Sequence, residues 1–527
     1  VIPRLADLNI LATPPASLTL AGDLLPADLV AWLRVPLTAI YIAMLLLVAM
    51  YGLHRYWLVW LYYHHRPNIP RPSHRFDTLP RVTIQLPMYN EGAVAQRIID
   101  AACAMDYPRD RLQVQVVDDS TDDCRLIARQ RVEHWRERGI DIEYRPRTNR
   151  SGYKAGALEA ATEHATGEFI AIFDADFVPH ANFLKRTIHH FSDPRVGMVQ
   201  TRWDHLNRED SLLTRSQAIF LDGHFVIEHT ARNRSERWIN FNGTAGVWRR
   251  TAIESAGGWQ HDTLTEDVDL SYRAQMHGWR FVFLQRVGCP AELPPEINAF
   301  KSQQHRWTKG SIQTAKKLLP KLLRSNASLG IKVEAFFHLT SPMVYLYMTL
   351  MALLFYPAFY VNLQPFEDGT WAGTLWGLTL FSVGTASASV FYVASQTQRK
   401  RSRWRTILQL PVLMSIGIGI ALNNARGVLE ALIGHESPFV RTPKYNTTTG
   451  KRPIVAVPSI RCWMCVLELV MGGYTAYCAF LATQVPGTML SLPFLLLFAA
   501  GYFYVGLSSL WGHMIGHRQP EPTLATG

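Results

Sequence analysis

Long apolar runs constrain this chain more than any other feature. A helix needs roughly 20 mostly apolar residues to cross a bilayer, and Val35–Trp60 supplies such a run near the start. Comparable runs return at Phe336–Val361, Trp371–Ala394, Arg461–Leu481 and Met489–Leu510. Between the first run and the rest, from Arg81 to about Lys332, the texture is that of a folded polar domain. Membrane helices gathered around one large polar domain are therefore expected. Charged residues make up only 18% of the chain, against about 25% in an ordinary soluble domain, which agrees with a lipid-facing part.

The charges orient the spans. Tyr62-Tyr63-His64-His65-Arg66, then Arg71, Arg75 and Arg81, follow the first run, whereas residues 1–30 carry only Arg4 as a basic residue. Cytoplasmic flanks collect Lys and Arg, so the N-terminus is expected outside and residue 66 inside. Residues 1–30 lack a basic segment followed by an apolar core, so no cleavable signal peptide is expected. Ile407–Ile433 is apolar only in its first half, and a full crossing would leave Arg441, Lys444, Lys451 and Arg452 outside. It reads as an interfacial or re-entrant helix, leaving five spans. The resulting division is 1–66 (N-terminal segment and first span), 67–332 (cytoplasmic domain) and 333–527 (further spans and interfacial helices). The net charge of +11 suits phosphate-bearing substrates or an anionic surface. Its basic residues mostly flank the spans, which argues against a nucleic-acid partner.

Within Arg81–Lys332 short β-branched runs alternate with amphipathic stretches. Val82–Leu86, Val114–Val117 and Phe169–Phe173 read as strands, and Ala93–Ala104 and Cys124–Arg138 as helices. That alternation predicts a mostly parallel α/β sheet, whose polar site lies at the carboxyl ends of the strands.

The chemistry-bearing residues sit at those ends. Asp118-Asp119-Ser120 follows the second strand and offers acceptors for a base or ribose, or is a solvated turn. Asp174-Ala175-Asp176 follows the third; carboxylates so spaced suit Mg²⁺ or Mn²⁺ completed by substrate phosphates, and a departing diphosphate needs such neutralisation. In Thr265-Glu266-Asp267, Asp267 is the candidate general base for an acceptor hydroxyl, while Thr265 with acids in a first helical turn also fits a helix N-terminus. In Gln303-Gln304-His305-Arg306-Trp307, Arg306 could grip a diphosphate with two donors, and Trp307 could stack on a sugar's apolar face. An amphipathic helix lying on the membrane is the plainer alternative. Lys154, among glycines and after Arg145, Arg147 and Arg150, could reach a phosphate.

In this order the motifs resemble the family 2 glycosyltransferases, and most closely the cellulose-synthase-like processive enzymes of the mannan and glucomannan synthase group. The resemblance is dense from Pro80 to Leu329, through Val116–Asp122, Asn149–Leu158, Ala171–Phe177, Phe241–Gly246 and Gln303–Trp307. It implies a GT-A-type α/β nucleotide-sugar-binding domain embedded with an α-helical transmembrane domain. It implies that Asp118 and Asp119 contact the nucleoside, with Pro87, Tyr89, Asn90 and Glu91 lining the same pocket. Lys154 would face the diphosphate; Asp174 and Asp176 would hold the metal and donor. Glu266 and Asp267 would be catalytic; Gln303, Arg306 and Trp307 would bind donor diphosphate and acceptor end; Asn242, Gly243 and Thr244 would flank the acceptor. A mobile loop, 437–452, would close over the donor through Phe439, Thr442 and Lys444, although Arg441 stands where that family has Val. The implied activity is processive, inverting transfer of hexose from a nucleotide-sugar (UDP-glucose, GDP-mannose or GDP-glucose) onto a growing β-linked, expectedly β-1,4, glycan that is moved across the lipid membrane. Transfer of one sugar to a lipid acceptor is the alternative. The expected location is a bacterial inner membrane with the catalytic domain cytoplasmic.

Overall fold

The computed structural model describes residues 26–361, 371–437, 441–446, 462–484 and 489–516. The strands are β1 (Val82–Met88), β2 (Leu112–Asp118), β3 (Asp141–Pro146), β4 (Phe169–Ile172), β5 (Val196–His205), β6 (Gly246–Arg249) and β7 (Arg280–Ala291); the three expected runs are β1 and β2, each longer than expected, and β4, one residue shorter. They make one sheet in the order β3-β2-β1-β4-β6-β5-β7. All pairings are parallel except those of β6, which runs against both β4 and β5.

β1 and β2 are buried along their whole length on both faces, yet carry polar side chains. The register resolves this: Thr83 lies opposite Gln113 and Gln85 opposite Gln115. The Thr83 hydroxyl donates to Gln113 Oε1 (2.8 Å) and Gln85 Nε2 to Gln115 Oε1 (3.1 Å). Buried polar groups are tolerated when they find partners, and here pairing also fixes the strands against a register slip.

The helix Ala27–His65 projects Trp32, Val35, Leu46 and Leu53 outwards without protein cover, as a lipid-facing helix does. Five described helices are long and apolar enough to cross a membrane by length and composition: Asp28–His65, Met343–Tyr360, Arg403–Ile433, Trp463–Gln484 and Leu492–Met514. The expected run Phe336–Val361 is divided in two. Helix Leu329–Thr340 ends before Ser341-Pro342, and Met343–Tyr360 starts after it, because proline lacks the donor that continues a helix and disfavours helical backbone just before it. The expected run Trp371–Ala394 lies in the helix Trp371–Gln398. Ile407–Ile433, expected to lie at the interface, falls instead within a stretch long and apolar enough to cross, Arg403–Ile433, which is broken only at Ile420 into Arg403–Gly419 and Ala421–Ile433. The first approaches Leu492–Gly516 through glycines: a Cβ on Gly419 would lie 2.3 Å from the Gly501 carbonyl oxygen. Small residues permit such close packing where lipid supplies no hydrophobic drive between helices.

The helix Ile297–Arg324 carries Gln303, Arg306 and Trp307 and joins the sheet domain to the apolar helices. Lys301 pairs with Glu468 at 2.6 Å, both with no exposed side-chain surface. Lys309, His305 and Arg426 surround Glu430 at 3.1, 3.2 and 2.8 Å. Asn423 donates to the Lys301 carbonyl (2.9 Å). A buried charge left without its partner is strongly destabilising, so these pairs hold helix Ile297–Arg324 in one position.

Candidate active site

β1, β2 and β4 are neighbours, and their carboxyl ends deliver Tyr89, Asp118-Asp119 and Asp174 to one rim. The floor is set from β4. Asp174 donates its backbone N–H to the Thr244 hydroxyl (2.9 Å), which ties the Asp174–Asp176 turn to the Asn242–Thr244 segment. Lys154 reaches in from the helix Tyr153–Thr162 and bridges the same two segments: its ammonium lies 2.5 Å from Asp174 Oδ1 and donates to the Gly243 carbonyl (2.9 Å). Gly243 has φ +78°, a backbone shape that costs little only for glycine. A Cβ there would stand 3.2 Å from Asp267 Oδ2 and 3.5 Å from Lys154 Nζ. Asp174, Lys154, Gly243, Thr244 and Asp267 thus form one contiguous cluster.

Asp267 lies in the first turn of the helix Glu266–Met276. Thr265 is the N-cap residue but its side chain makes no capping bond; Asp267 Oδ1 accepts from the Val268 N–H (2.9 Å) instead. The helix Ile297–Arg324 can pass this N-terminus only because residue 310 is glycine, since a Cβ there would lie 2.6 Å from Thr265 Cγ2. That approach brings Arg306 into the field of Glu266, Asp174, Asp267 and Glu91. Trp307 meets Trp203 at 6.4 Å between ring centroids, tilted by 56°, and Trp203 packs on Phe177 (5.3 Å) and Phe225 (5.2 Å).

Charge crowding shifts these groups. Burial and the neighbouring Glu266 push the Asp267 carboxyl up to about 7, against the pull of Lys154. Burial raises Glu266 as well, opposed by Lys154 and Arg306. Burial works against the charge of Lys154, but Asp174 and Glu266 outweigh it and hold the ammonium above the usual lysine value. Burial depresses Arg306, opposed by Glu266, Asp174 and Asp267. A carboxyl held near neutrality beside the Lys154 ammonium can exchange a proton at neutral pH.

Asp176 lies behind Asp174 and meets Lys444, whose Nζ is 2.8 Å from Oδ1. Lys444 belongs to residues 441–446, which dock on the rim. Arg441 lies 3.8 Å from Glu91, the Tyr445 N–H donates to Glu292 (3.2 Å) and Asn446 to the Ala93 carbonyl (2.8 Å). Burial pushes Glu91 up to about 7 despite Lys444 and Arg441. Thr442 is buried here; Phe439 lies outside the described residues. Among the described residues no three His, Cys, Asp or Glu side chains form a metal cage. Asp174 and Asp176 each face an ammonium, however, so both already sit in positive surroundings. Two carboxylates suffice for Mg²⁺ or Mn²⁺ when substrate phosphates complete the shell, and the donor set fits such an ion.

At the expected nucleoside end the acidic residues are held by the protein's own groups. Asp118 is fully buried; the Ser120 N–H and the Tyr144 hydroxyl donate to its two oxygens at 2.8 Å each. Through these bonds it supports the turn that carries Asp119. Asp119 is gripped by Arg147 through two bonds of 2.6 Å. Asn90, at φ +53°, exchanges bonds with Ser120 and Thr121. Pro87 is in β1 and Gln303 is half-buried on its helix. Asn242 bonds His224 Nε2 through its amide (2.9 Å), and His224 in turn meets Glu228 (2.9 Å). Sequence reasoning missed Trp203, the bond of Arg147 to Asp119 and the Arg97–Glu292 pair (2.8 Å), whose arginine also holds the Asp176 carbonyl. Only Trp203, at the end of a strand, carried a positional signal.

Known proteins resemble the same part of the chain. Residues 80–310 match the model described as "Glycosyltransferase like family 2". Glucomannan 4-beta-mannosyltransferase 1 of Oryza sativa subsp. japonica is 44% identical over 256 residues, 47% of this chain and 49% of the relative. The protein of the same name from Cyamopsis tetragonoloba is 44% identical over 254 residues, 47% of this chain and 48% of the relative. The chain spans about half the length of the curated relatives it matches. Among solved structures, mannosyltransferase PcManGT from Pyrobaculum calidifontis, in complex with GDP-Man and Mn²⁺, is 22% identical, covers 76% of this chain and 100% of its own, and superposes with a TM-score of 0.45. By its motifs in order, its acidic cluster at the strand ends and this match, the domain of residues 80–310 is similar to glycosyltransferase family 2.

Proposed function

We propose that the chain is a processive, inverting hexosyltransferase that extends a β-1,4-linked glycan from a nucleotide-sugar and passes the product across the membrane. The observation that carries this reading is the contact of Asp267, Lys154, Asp174 and Gly243 in one cleft, walled by a helix that is itself ion-paired to the apolar helices. The name of the two relatives favours a mannosyl donor over UDP-glucose or GDP-glucose.

Asp267 accepts the proton of the acceptor hydroxyl while that oxygen bonds to the anomeric carbon. The bond from that carbon to the diphosphate breaks on the opposite face, the bonding pair leaves with the diphosphate, and the configuration inverts. Lys154 and Arg306 receive the developing charge. Asp174 and Asp176 would hold Mg²⁺ or Mn²⁺, which when bound neutralises diphosphate oxygens. The Trp307 ring, braced by Trp203, suits the apolar face of a sugar, and Asn242–Thr244 border the acceptor.

The test is product analysis of the full chain in lipid with labelled donor. Polymer that lengthens with time, and none from Asp267→Asn, is the expected outcome. A lipid-extractable single-sugar product would replace the processive reading with its alternative.

A further inference from the structure

The helix Trp371–Gln398 ends in a turn whose backbone is fixed. The Lys400 N–H donates to the Thr397 carbonyl (3.0 Å) and the Arg401 N–H to the Gln396 carbonyl (2.9 Å). The turn passes through Lys400 at φ +57°, a shape that helix ends usually give to glycine. The buried Gln396 side chain accepts from Arg208 (2.7 Å) and donates to Asp222 (3.0 Å). Ser402 then caps the helix Arg403–Gly419, its hydroxyl accepting from the Arg405 N–H (3.4 Å). The segment Arg399-Lys400-Arg401-Ser402-Arg403-Trp404-Arg405 contains no acid, and this backbone presents it as one group.

Arg399 is neutralised inward, 2.6 Å from Asp204 and 3.3 Å from Asp222. Arg401 reaches Glu209 (3.3 Å), but Glu209 is shared with Arg215 (3.0 Å) and Arg208 (3.8 Å). Among the described residues no carboxylate pairs with Lys400, Arg403 or Arg405, and all three are exposed. One turn along, the same helix becomes apolar. Trp404 and Leu408 lie on one face and are each 77% exposed, and Val412 continues that face. This stripe opens the stretch Arg403–Ile433, which is long and apolar enough to cross a bilayer. The end of the helix Ala27–His65 lies alongside: Gln398 donates to the Tyr63 hydroxyl (3.5 Å), and Trp60 and Tyr63 are exposed. Exposed Trp and Tyr gather at the headgroup level of a membrane, so the cations beside Trp404 fall at the height of lipid phosphates.

We propose that Arg401, Arg403 and Arg405, with Trp404 and Leu408 beneath them, bind an anionic phospholipid of the leaflet on the sheet domain's side. Its acyl chains lie on Leu408 and Val412, the Trp404 indole meets the glycerol region, and the phosphate takes the guanidinium groups left without carboxylates. Guanidinium groups grip phosphate through paired donors. A zwitterionic lipid carries the same phosphate, but its ammonium is repelled by the cluster, so the site selects net negative charge. The surface uses no residue of the acidic cleft and does not depend on the reaction proposed above.

The experiment counts lipids bound to the full chain by native mass spectrometry, titrating phosphatidylglycerol or phosphatidylcholine with identical acyl chains. Wild type is compared with the double variant Arg403→Gln/Arg405→Gln and with a control of equal charge change on the sheet domain, Arg111→Gln/Arg129→Gln. Wild type is expected to bind phosphatidylglycerol more tightly than phosphatidylcholine. The double variant is expected to lose about fivefold of that affinity for each cation removed, with phosphatidylcholine binding unchanged, which also verifies that it is folded. The control is expected to keep the preference. Equal binding of the two lipids by wild type, or a preference retained in the double variant, would overturn the proposal. The same loss in the control would assign the preference to net charge and overturn the site. Displacement of phosphatidylglycerol by glycerol 1-phosphate would overturn the lipid in favour of a free phosphate ester.

Discussion

At the scale of single residues the account turns on Asp267. Its carboxyl is pushed up to about 7 by burial and by Glu266, and only its deprotonated form can take a proton. The kcat/KM of the free enzyme is therefore expected to be full above pH 7 and to fall about tenfold per pH unit as the pH drops below about 7. A pH–rate profile checks this, and an acid limb near 4 would contradict it. Asp267→Asn is expected to lower turnover by about 10²–10⁴-fold without lowering the melting temperature, since it removes a charge that burial disfavours. Gly243→Ala is the converse case. With φ +78° and a Cβ 3.2 Å from Asp267 Oδ2, it should cost roughly 1 kcal/mol or more in stability and displace Asp267 or Lys154; thermal melts and turnover measured together would register both.

Elements explain how these residues meet. The helix Ile297–Arg324 reaches the N-terminus of Glu266–Met276 only through Gly310. Residues 441–446 bring Lys444 onto Asp176, and an ammonium there competes with any divalent cation for the same oxygen. Lys444→Met is expected to lower the half-saturating Mg²⁺ or Mn²⁺ concentration several-fold, read from metal titration of activity; an unchanged or higher requirement would show that Lys444 does not compete. Elements were also where the sequence was most legible. Runs such as Val114–Val117 and Phe169–Phe173 are apolar, β-branched and buried on both faces, so their strands were readable. The antiparallel β6 was not, because Gly246–Arg249 is short and strand direction depends on pairing partners far away in sequence. The split at Ser341-Pro342 was masked by apolar residues on both sides. The Asp119–Arg147 grip escaped notice for a similar reason: two surface-looking residues meet only when β2 and the loop after β3 lie side by side.

For the molecule as a whole, the acidic cleft and the apolar helices are one construction. Lys301–Glu468 and Lys309–Glu430 are ion pairs with fully buried lysines that fasten the helix bearing Arg306 and Trp307 to those helices. On the proposed function, a polymerising enzyme would need its acceptor end held in register with an exit path, and this fastening would supply it. On the proposed function Trp307, tilted against Trp203, holds the acceptor chain, so Trp307→Ala is expected to shorten the product more than it slows the first transfer; sizing of products against initial rate separates the two. The most direct measurement of the central claim is synthesis by the purified full chain in lipid, with labelled GDP-mannose, UDP-glucose and GDP-glucose in parallel, for wild type and Asp267→Asn. The account predicts a polymer cut by a β-1,4-glycan hydrolase from at least one donor, abolished by Asp267→Asn and by chelation of divalent metal. Absence of polymer from every donor, or undiminished polymer from Asp267→Asn, would contradict it.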